Sequence, residues 1–238
     1  MPLITLDDWV LKAETRRTLD LLISGALQFP ADGKTGLLLC GTNGTGKSSV
    51  ARVLPELLEP TISQQRTGMA SQSNLHSSHW FSCEQNANGT KLTTQITERL
   101  RNGSWNDSKL HYIQLDEADN ITAPAMKSLK NVMNSPWGAF ILTTNNISAI
   151  ERGVVSRCHV LDFDAAPEAA QMEWAEQWLA HEGLCVPANL PQIIKACGGD
   201  MRELRTDLRR AAATQKLAQQ SALMNGKRTS KYRVAESA

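Results

Sequence analysis

The stretch that decides the fold is Gly41-Thr42-Asn43-Gly44-Thr45-Gly46-Lys47-Ser48, which fits the phosphate-binding pattern G-x-x-x-x-G-K-[ST]. The apolar run at 36–40 predicts a short buried strand before it, and residues 48–58 predict a helix after it. In this order the glycines let the backbone curl so that its N–H groups point at an anionic phosphate, and the amino end of the helix adds its dipole. The stretch therefore predicts a binding site for a nucleoside triphosphate.

Two acidic residues, Asp116 and Glu117, directly follow a predicted apolar strand at 111–115. Beside a phosphate-binding loop, a carboxylate at a strand end can hold Mg²⁺ and a second one can polarise the attacking water. We therefore predict that Ser48 and Asp116 hold Mg²⁺, that Lys47 reaches the β- and γ-phosphates, and that Glu117 acts on water. Without a phosphate loop in the chain, the same pair would indicate only an exposed acidic turn.

The remaining strands and helices alternate along the first two thirds of the chain. Such alternation is typical of a parallel sheet that is covered by helices on both faces. Beyond residue 165 only helices are predicted, so we expect an α/β core over 1–165, a small helical lid domain over 166–224 and a basic flexible tail over 225–238. The predicted strands after the first are at 80–83, 111–115, 139–143 and 159–163, and a polar loop is predicted at 60–79.

Composition restricts the classes of protein and the kinds of partner. The chain has 238 residues and a formal net charge of +1, so a surface that attracts nucleic acid would have to be local. No apolar run is long enough to cross a bilayer, and the N-terminus does not resemble a signal peptide. The five cysteines form no C-x-x-C pair, which favours reduced thiols and a cytoplasmic location over a zinc site or disulfides.

Four further segments, together with the phosphate loop and the acidic pair, resemble the AAA+ ATPases in the expected order. Within that group the chain is most similar to the small subunits of DNA polymerase clamp loaders, because S-R-C and G-D-M-R occur where those subunits have them. The resemblance covers residues 5 to about 215. The four segments are T-L-D-D-W-V at 5–10, L-T-T-N-N at 142–146, V-S-R-C at 155–158 and G-D-M-R at 199–202.

The resemblance implies an AAA+ core, with a five-stranded parallel sheet between helices, and a helical lid after it. It places Trp9 and Val10 at the adenine pocket and Asn145 at the sensor 1 position, where an amide orients water. Arg157 corresponds to an arginine finger that acts on the γ-phosphate of a neighbouring subunit. Arg202 corresponds to the sensor 2 arginine, which closes over bound nucleotide.

Each of the last three residues also has a plainer interpretation. Asn145 could end a strand in a turn, Arg157 could belong to a surface ion pair, and Arg202 could lie on a solvated helix face. The predicted catalytic set is Glu117, Asn145, Arg157 and Arg202. The predicted nucleotide-binding set is Trp9, Val10, Gly41, Thr42, Asn43, Gly44, Thr45, Gly46, Lys47, Ser48 and Ser49.

The resemblance also implies contacts with DNA. In clamp loaders the starts of two helices follow the DNA backbone, and such contacts from lysines and helix N-termini are independent of base sequence. Ordinary solvated lysines are the alternative interpretation. The corresponding residues here are Lys91, Thr94, Thr122, Lys127 and Lys130.

Two functional classes are consistent with these features. The first is a clamp-loader-like replication ATPase that assembles on DNA, as a homo- or hetero-oligomer of AAA+ subunits, with ATP and Mg²⁺ at subunit interfaces. Clamp-loader subunits continue into a helical collar domain, for which this sequence has no counterpart. The second class is therefore an ATP-controlled DNA-binding switch that forms rings or filaments, like helicase loaders and transposition regulators.

The intact Lys47, Glu117, Asn145 and Arg157 argue against a subunit that does not hydrolyse ATP. Expected partners are DNA and a sliding clamp, a helicase or another replication protein, and no membrane.

Overall fold

The structure is a computed structural model that describes residues 5–69, 77–84 and 88–217. Internal contacts divide the chain into two compact units, Met1–Ala166 and Pro167–Ala238, which we call the core unit and the helical unit. The predicted tail at 225–238 lies outside the described residues. Among the helices in the described ranges, none has both the length and the apolar character needed to span a bilayer.

The core unit contains a five-stranded sheet. Its strands are β1 (Gly36–Cys40), β2 (Ser77–Ser82), β3 (His111–Asp116), β4 (Gly138–Thr144) and β5 (Cys158–Asp162). All neighbouring strands are parallel, in the order β2-β3-β4-β1-β5, which confirms the predicted fold class. The carboxyl ends of the strands all meet at one edge, which we call the carboxyl edge, and the opposite edge is the amino edge.

Helices cover both faces of the sheet because side chains of the central strands alternate between two apolar cores. The helices are α1 (Ala13–Ile23), α2 (Lys47–Thr67), α3 (Thr90–Arg101), α4 (Ala123–Val132) and α5 (Arg152–Val155). Leu38 points into the core formed with α3, α4 and α5, whereas Leu37 and Leu39 point into the core formed with α1 and α2. Strands buried on both faces are apolar almost throughout, as β1 and β4 are.

Helix α2 is longer than the sequence predicts. It continues through Pro60 to Thr67, so the first part of the loop predicted at 60–79 is helical and residues 70–76 lie outside the described chain. A proline inside a helix costs about 3 kcal/mol. The burial of Leu58 and Ile62 against the sheet offsets this cost, since each buried side chain of this size contributes roughly 1.5–3 kcal/mol. The prediction was wrong here because the stretch after Pro60 is polar and lacks a clear helical period, although tertiary packing keeps it helical.

The helical unit contains α6 (Glu168–His181), α7 (Leu190–Cys197) and a third helix, α8, described over 201–217. The Asp200 carboxylate caps α8 by accepting hydrogen bonds from the backbone N–H groups of Arg202 at 2.8 Å and Glu203 at 3.0 Å. This cap fixes where α8 begins.

Paired aromatic and cationic side chains hold α8 against α6. The rings of Trp174 and Trp178 are stacked with centroids 6.2 Å apart. The guanidinium of Arg205 lies 5.2 Å from the Trp174 ring, and that of Arg209 lies 5.8 Å from the Trp178 ring. Because cation–π contacts of this kind stabilise both partners, the two tryptophans have a structural role.

Candidate functional site: a phosphate loop at the carboxyl edge of the sheet

The phosphate loop connects β1 to α2 at the carboxyl edge. Gly44 and Gly46 have φ angles of 79° and 96°, which residues with a side chain rarely adopt, so the curl of the loop depends on these glycines. Gly41 is required for a different reason. A Cβ atom at Gly41 would lie 2.4 Å from the carbonyl carbon of Phe163, which follows β5. The loop is therefore packed tightly against the end of β5.

Lys47 is the buried cation of the loop. Its Nζ donates hydrogen bonds to the carbonyl oxygens of Gly41 at 2.8 Å and Thr42 at 2.5 Å. Burial lowers the pKa of the Lys47 ammonium below its ordinary value, although the nearby Cys40 and Asp119 act in the opposite direction. A partly desolvated ammonium interacts strongly with an anion, so the loop is suited to a phosphate group.

Asp116, the last residue of β3, accepts two short hydrogen bonds on the same carboxylate oxygen. Ser48 Oγ, from the start of α2, donates to Asp116 Oδ1 at 2.7 Å, and Thr143 Oγ1, from β4, donates to it at 2.6 Å. The structure thus brings together Ser48 and Asp116, the two residues predicted to hold Mg²⁺. Hydroxyl and carboxylate oxygens are the ligands that Mg²⁺ prefers, so this donor set fits that ion.

Glu117 directly follows β3 and has a left-handed backbone with φ of 56°. Its N–H donates to Thr143 Oγ1 at 3.0 Å, while its side chain is exposed and accepts a hydrogen bond from Asn120 Nδ2 at 3.2 Å. A non-glycine residue in this conformation costs about 1–3 kcal/mol and occurs where the surroundings enforce it, often at functional sites. The carboxylate predicted to act on water therefore stands on a constrained turn at the carboxyl edge.

Asn145 lies at the same edge. It follows β4, which runs between β3 and β1, and its side chain is exposed. The preceding residue, Thr144, pairs with Cys40 and accepts a hydrogen bond from the Gly41 N–H at 3.2 Å. Asn145 therefore lies between the phosphate loop and the end of the Asp116 strand, where the sequence predicts it.

Trp9 lies beside the phosphate loop and packs on one of its glycines. A Cβ atom at Gly46 would come within 2.9 Å of Trp9 Cδ1, so this indole packs on the glycine just before α2. Val10 follows it and is also half-buried. Among the other predicted loop residues, Thr45 is buried and donates to the Thr42 carbonyl at 3.0 Å. The exposed members of the set are Thr42, Asn43 and Ser49.

The side chains of Thr143 and Asp164 also contact this site, although neither residue is in the predicted set. Thr143 contacts both acidic residues, and Asp164 Oδ1 accepts the Thr42 N–H at 3.0 Å. A signal for Thr143 was present in the sequence, because it is polar within an otherwise apolar buried strand and such residues need partners. Asp164 has no comparable signal.

Arg157 lies at the amino edge, away from the loop. It precedes Cys158, which pairs with Gly36 at the start of β1, so the length of β1, about 17 Å at 3.3 Å per residue, separates it from the phosphate loop. Its Nε donates to Asn134 Oδ1 at 2.9 Å and its Nη1 to the Gly153 carbonyl at 2.8 Å. Arg157 therefore does not belong to the phosphate site of its own chain.

Arg202 lies in the helical unit. It is in the first turn of α8, and its side chain is exposed.

The starts of α3 and α4 lie side by side, as the DNA hypothesis requires. The carbonyl of Asn88, just before α3, accepts the N–H of Thr122 at 3.1 Å, and Asn88 Nδ2 donates to the Asn120 carbonyl at 2.7 Å. Near these helix starts, exposed side chains are contributed by Lys91, Thr94, Thr122 and Lys127.

Lys130 differs from the other predicted DNA contacts. It is near the carboxyl end of α4, and its ammonium lies 3.3 Å from Glu151 Oε1. Its aliphatic part packs against Gly153, since a Cβ there would lie 2.3 Å from Lys130 Cδ. The structure therefore groups Lys130 with α5 and not with the helix starts.

Comparison with known proteins fits this geometry. Residues 37–163, more than half of the chain, match the family described as "ATPase family associated with various cellular activities (AAA)". The chain belongs to this family. It is accordingly an ATP-hydrolysing, nucleotide-binding P-loop enzyme, and the predicted membership is confirmed.

The curated relatives are replication proteins by name. Over 188 residues the chain is 30% identical to replication factor C small subunit 1 of Pyrobaculum islandicum, a match that covers 76% of this chain and 53% of the relative. It is 26% identical over 178 residues to replication factor C subunit 4 of Encephalitozoon cuniculi, with 70% of this chain and 50% of the relative covered. The chain thus spans about half the length of these relatives.

Solved structures confirm the fold alone. The RuvB Holliday junction branch migration motor of Thermotoga maritima superposes with a TM-score of 0.63 at 14% identity, covering 90% of this chain and 66% of that one. PCH-2 of Caenorhabditis elegans superposes with a TM-score of 0.53 at 14% identity, covering 77% of this chain and 52% of that one.

Proposed function

We propose that this chain is a Mg-ATP-dependent subunit of a clamp-loader-like assembly that acts on DNA during replication, with ATP hydrolysed at interfaces between subunits. The replication setting is supported by the names of the curated relatives. The proposed location is the cytoplasm, which suits five cysteines that are all free thiols.

In the proposed site Lys47 binds the β- and γ-phosphates, and Ser48 and Asp116 hold Mg²⁺. When bound, the ion would neutralise charge on the phosphate oxygens. Glu117 orients the attacking water and accepts its proton, and Asn145 helps to hold that water in line with the γ-phosphate. Trp9 and Val10 contact the adenine. The proximity of Ser48, Asp116 and Asn145 at one sheet edge supports this division of roles.

The observation that carries the interface proposal is the position of Arg157 at the amino edge. Its guanidinium is held by Asn134 and the Gly153 carbonyl, on the other side of the sheet from its own phosphate loop. Because Arg157 is remote from its own phosphate loop, it could contact a nucleotide only in a neighbouring subunit whose carboxyl edge faces it. We assign Arg157 the role of an arginine finger in trans, and Arg202 the sensor 2 role that the resemblance implies.

We propose that DNA is contacted by the starts of α3 and α4, without Lys130. The N-termini of α3 and α4 are joined through Asn88, so their dipoles and the nearby Lys91 and Lys127 can contact one phosphate backbone together. Lys130 is occupied by Glu151 and is not included. Because one subunit offers few phosphate contacts, affinity should rise steeply when ATP drives assembly.

The experiment is a DNA-binding titration with primed DNA, followed by fluorescence anisotropy with and without ATP at several salt concentrations. Binding should require ATP and show little base preference, and each lost phosphate contact should lower the salt slope by about 1. The double variant Lys91→Ala/Lys127→Ala should bind more weakly. Lys130→Ala removes one positive charge near the carboxyl end of α4, as Lys127→Ala removes one nearer its start, and should bind normally.

Two results would contradict the proposal. Salt-insensitive binding, or equal binding by the double variant and the wild type, would exclude the helix starts as the contact. Electron microscopy of the ATP-bound assembly bears on the second functional class, because extended filaments would favour an ATP-controlled DNA-binding switch over a clamp-loader-like assembly.

A further inference from the structure

The side chain of Thr143 joins the two acidic residues of the site through one buried hydroxyl. It is 2% exposed, donates to Asp116 Oδ1 at 2.6 Å and accepts the Glu117 N–H at 3.0 Å. A threonine hydroxyl has a single proton. Since Glu117 N–H can only donate, that proton must point at Asp116, and both hydrogen bonds are fixed together.

We propose that Thr143 is a positioning residue for ATP hydrolysis, which holds the Asp116 carboxylate and the Glu117 backbone in one arrangement. The proposal rests on the roles assigned above to Asp116 and Glu117. Thr143 contacts these residues and not the nucleotide, so its effect on the reaction is through them.

The backbone of Glu117 shows why such a contact is needed. Its left-handed conformation is unfavourable for a residue with a side chain and persists only when neighbouring contacts enforce it. The hydrogen bond from its N–H to Thr143 is such a contact, and it comes from a different strand. Without it the turn can relax, and the exposed carboxylate would leave the position from which it acts on water.

Asp116 depends on Thr143 in a second way. Its Oδ1 accepts hydroxyls from both Ser48 and Thr143, and Ser48 is the residue proposed to share the metal ion. If Ser48 turns its oxygen towards a cation, Thr143 still fixes the carboxylate. Loss of the Thr143 hydroxyl should therefore weaken the dependence of nucleotide binding on Mg²⁺ as well as slow turnover.

The test compares four variants. Thr143→Val has the shape of threonine without the hydroxyl, and Thr143→Ser keeps the hydroxyl. Thr93→Val is the matched control, because Thr93 is also buried and donates to the Thr90 carbonyl, but on α3 and away from the site. Glu117→Gln is the reference for loss of the chemical step. Turnover, melting temperature and affinity for a fluorescent ATP analogue, with Mg²⁺ and with EDTA, are measured for each.

For Thr143→Val we expect turnover at saturating ATP to fall about 10- to 100-fold, as a small misplacement of reacting groups does. Affinity in EDTA should stay within about twofold of the wild type, while the gain in affinity on adding Mg²⁺ should shrink. Thr143→Ser should recover most of both losses. Thr93→Val should lose some melting temperature and keep normal turnover, which separates positioning from general destabilisation.

The outcomes distinguish this inference from the proposed function. If Glu117→Gln is inactive while Thr143→Val keeps normal turnover and normal Mg²⁺ dependence, the inference is refuted and the site assignment stands. If Glu117→Gln itself turns over normally, the assignment fails and the inference fails with it. If Thr143→Val does not fold, the same comparison is made with Thr143→Ala, which avoids the branched side chain.

Discussion

Carboxylate side chains have different surroundings at the two edges of the sheet. Near the amino edge, Glu59 of α2 has every carboxylate oxygen occupied: Oε1 accepts the Ser108 N–H, and Oε2 accepts donors from Asn106, Ser108 and Tyr112. At the carboxyl edge, Glu117 is exposed, and Asp119 Oδ1 is buried without a hydrogen-bond partner among the described residues. A fully satisfied carboxylate holds the fold together, whereas one with remaining capacity can bind a ligand.

The largest expected effects come from breaking the carboxyl edge. Lys47→Ala should abolish ATP binding, because it removes the cation that we propose binds the phosphates. Glu117→Gln should bind ATP normally and hydrolyse it about 10²–10⁴ times more slowly, because it removes only a group that acts in the chemical step. Binding of a fluorescent ATP analogue and single-turnover hydrolysis measure the two effects. Near-normal turnover in both variants would refute the assignment.

Next in size is the loss of Arg157, which we propose connects the amino edge of one subunit to the carboxyl edge of another. Arg157→Ala should keep nucleotide affinity and lose about 10³-fold in hydrolysis. Mixing it with Glu117→Gln protein should restore part of the activity, because an interface can then pair an intact Arg157 with an intact Glu117. Steady-state ATPase assays on mixtures measure this. If the two variants co-assemble without any rescue, Arg157 does not act in trans.

The contrast between the edges also explains what the sequence could predict. At the carboxyl edge a phosphate-binding site requires a fixed spacing of residues along the chain. Short motifs and the strands before them were therefore enough to predict Lys47, Ser48 and Asp116 as site residues. The Glu59 network joins residues 47 to 53 positions apart in the chain, and no local pattern reports such contacts. Thr143 is intermediate, since its polarity in an apolar strand was visible but its partners depend on the pairing of β3 with β4.

A smaller effect is expected from the amino-edge network. Tyr112→Phe removes one of the donors to Glu59 without changing the shape of the core, and should lower the free energy of unfolding by about 1 kcal/mol. Burial and the neighbouring Glu59 raise the pKa of the Tyr112 phenol, so it remains a donor at all ordinary pH values. Urea unfolding measures the loss. Unchanged ATP affinity and turnover should accompany it, and a catalytic defect would contradict the separation of the two edges.

The smallest expected effect is a pH dependence of stability from a histidine pair on β2 and β3. His111 Nε2 lies 2.8 Å from the Asn102 carbonyl, which can only accept, so its proton is there and its Nδ1 accepts from His79 Nε2 at 3.0 Å. Burial, with His111 and Arg99, lowers the pKa of His79. The unfolded chain therefore takes up a proton near pH 6.5 that the folded chain resists, and stability should fall as the pH drops from 7.5 to 5.5.

His79→Gln should reduce this decrease in melting temperature between pH 7.5 and 5.5, measured by differential scanning fluorimetry. It should not remove the decrease, because burial and Lys34 lower the pKa of His159 on β5 in the same direction. His159→Gln is the matched variant, and the double variant should show the weakest pH dependence since each histidine contributes separately. An unchanged pH dependence in His79→Gln would mean that His79 does not contribute to the loss of stability at low pH. Hydrolysis at pH 7.5 should be normal in all three variants, because neither histidine is among the residues assigned a role in binding or hydrolysing ATP.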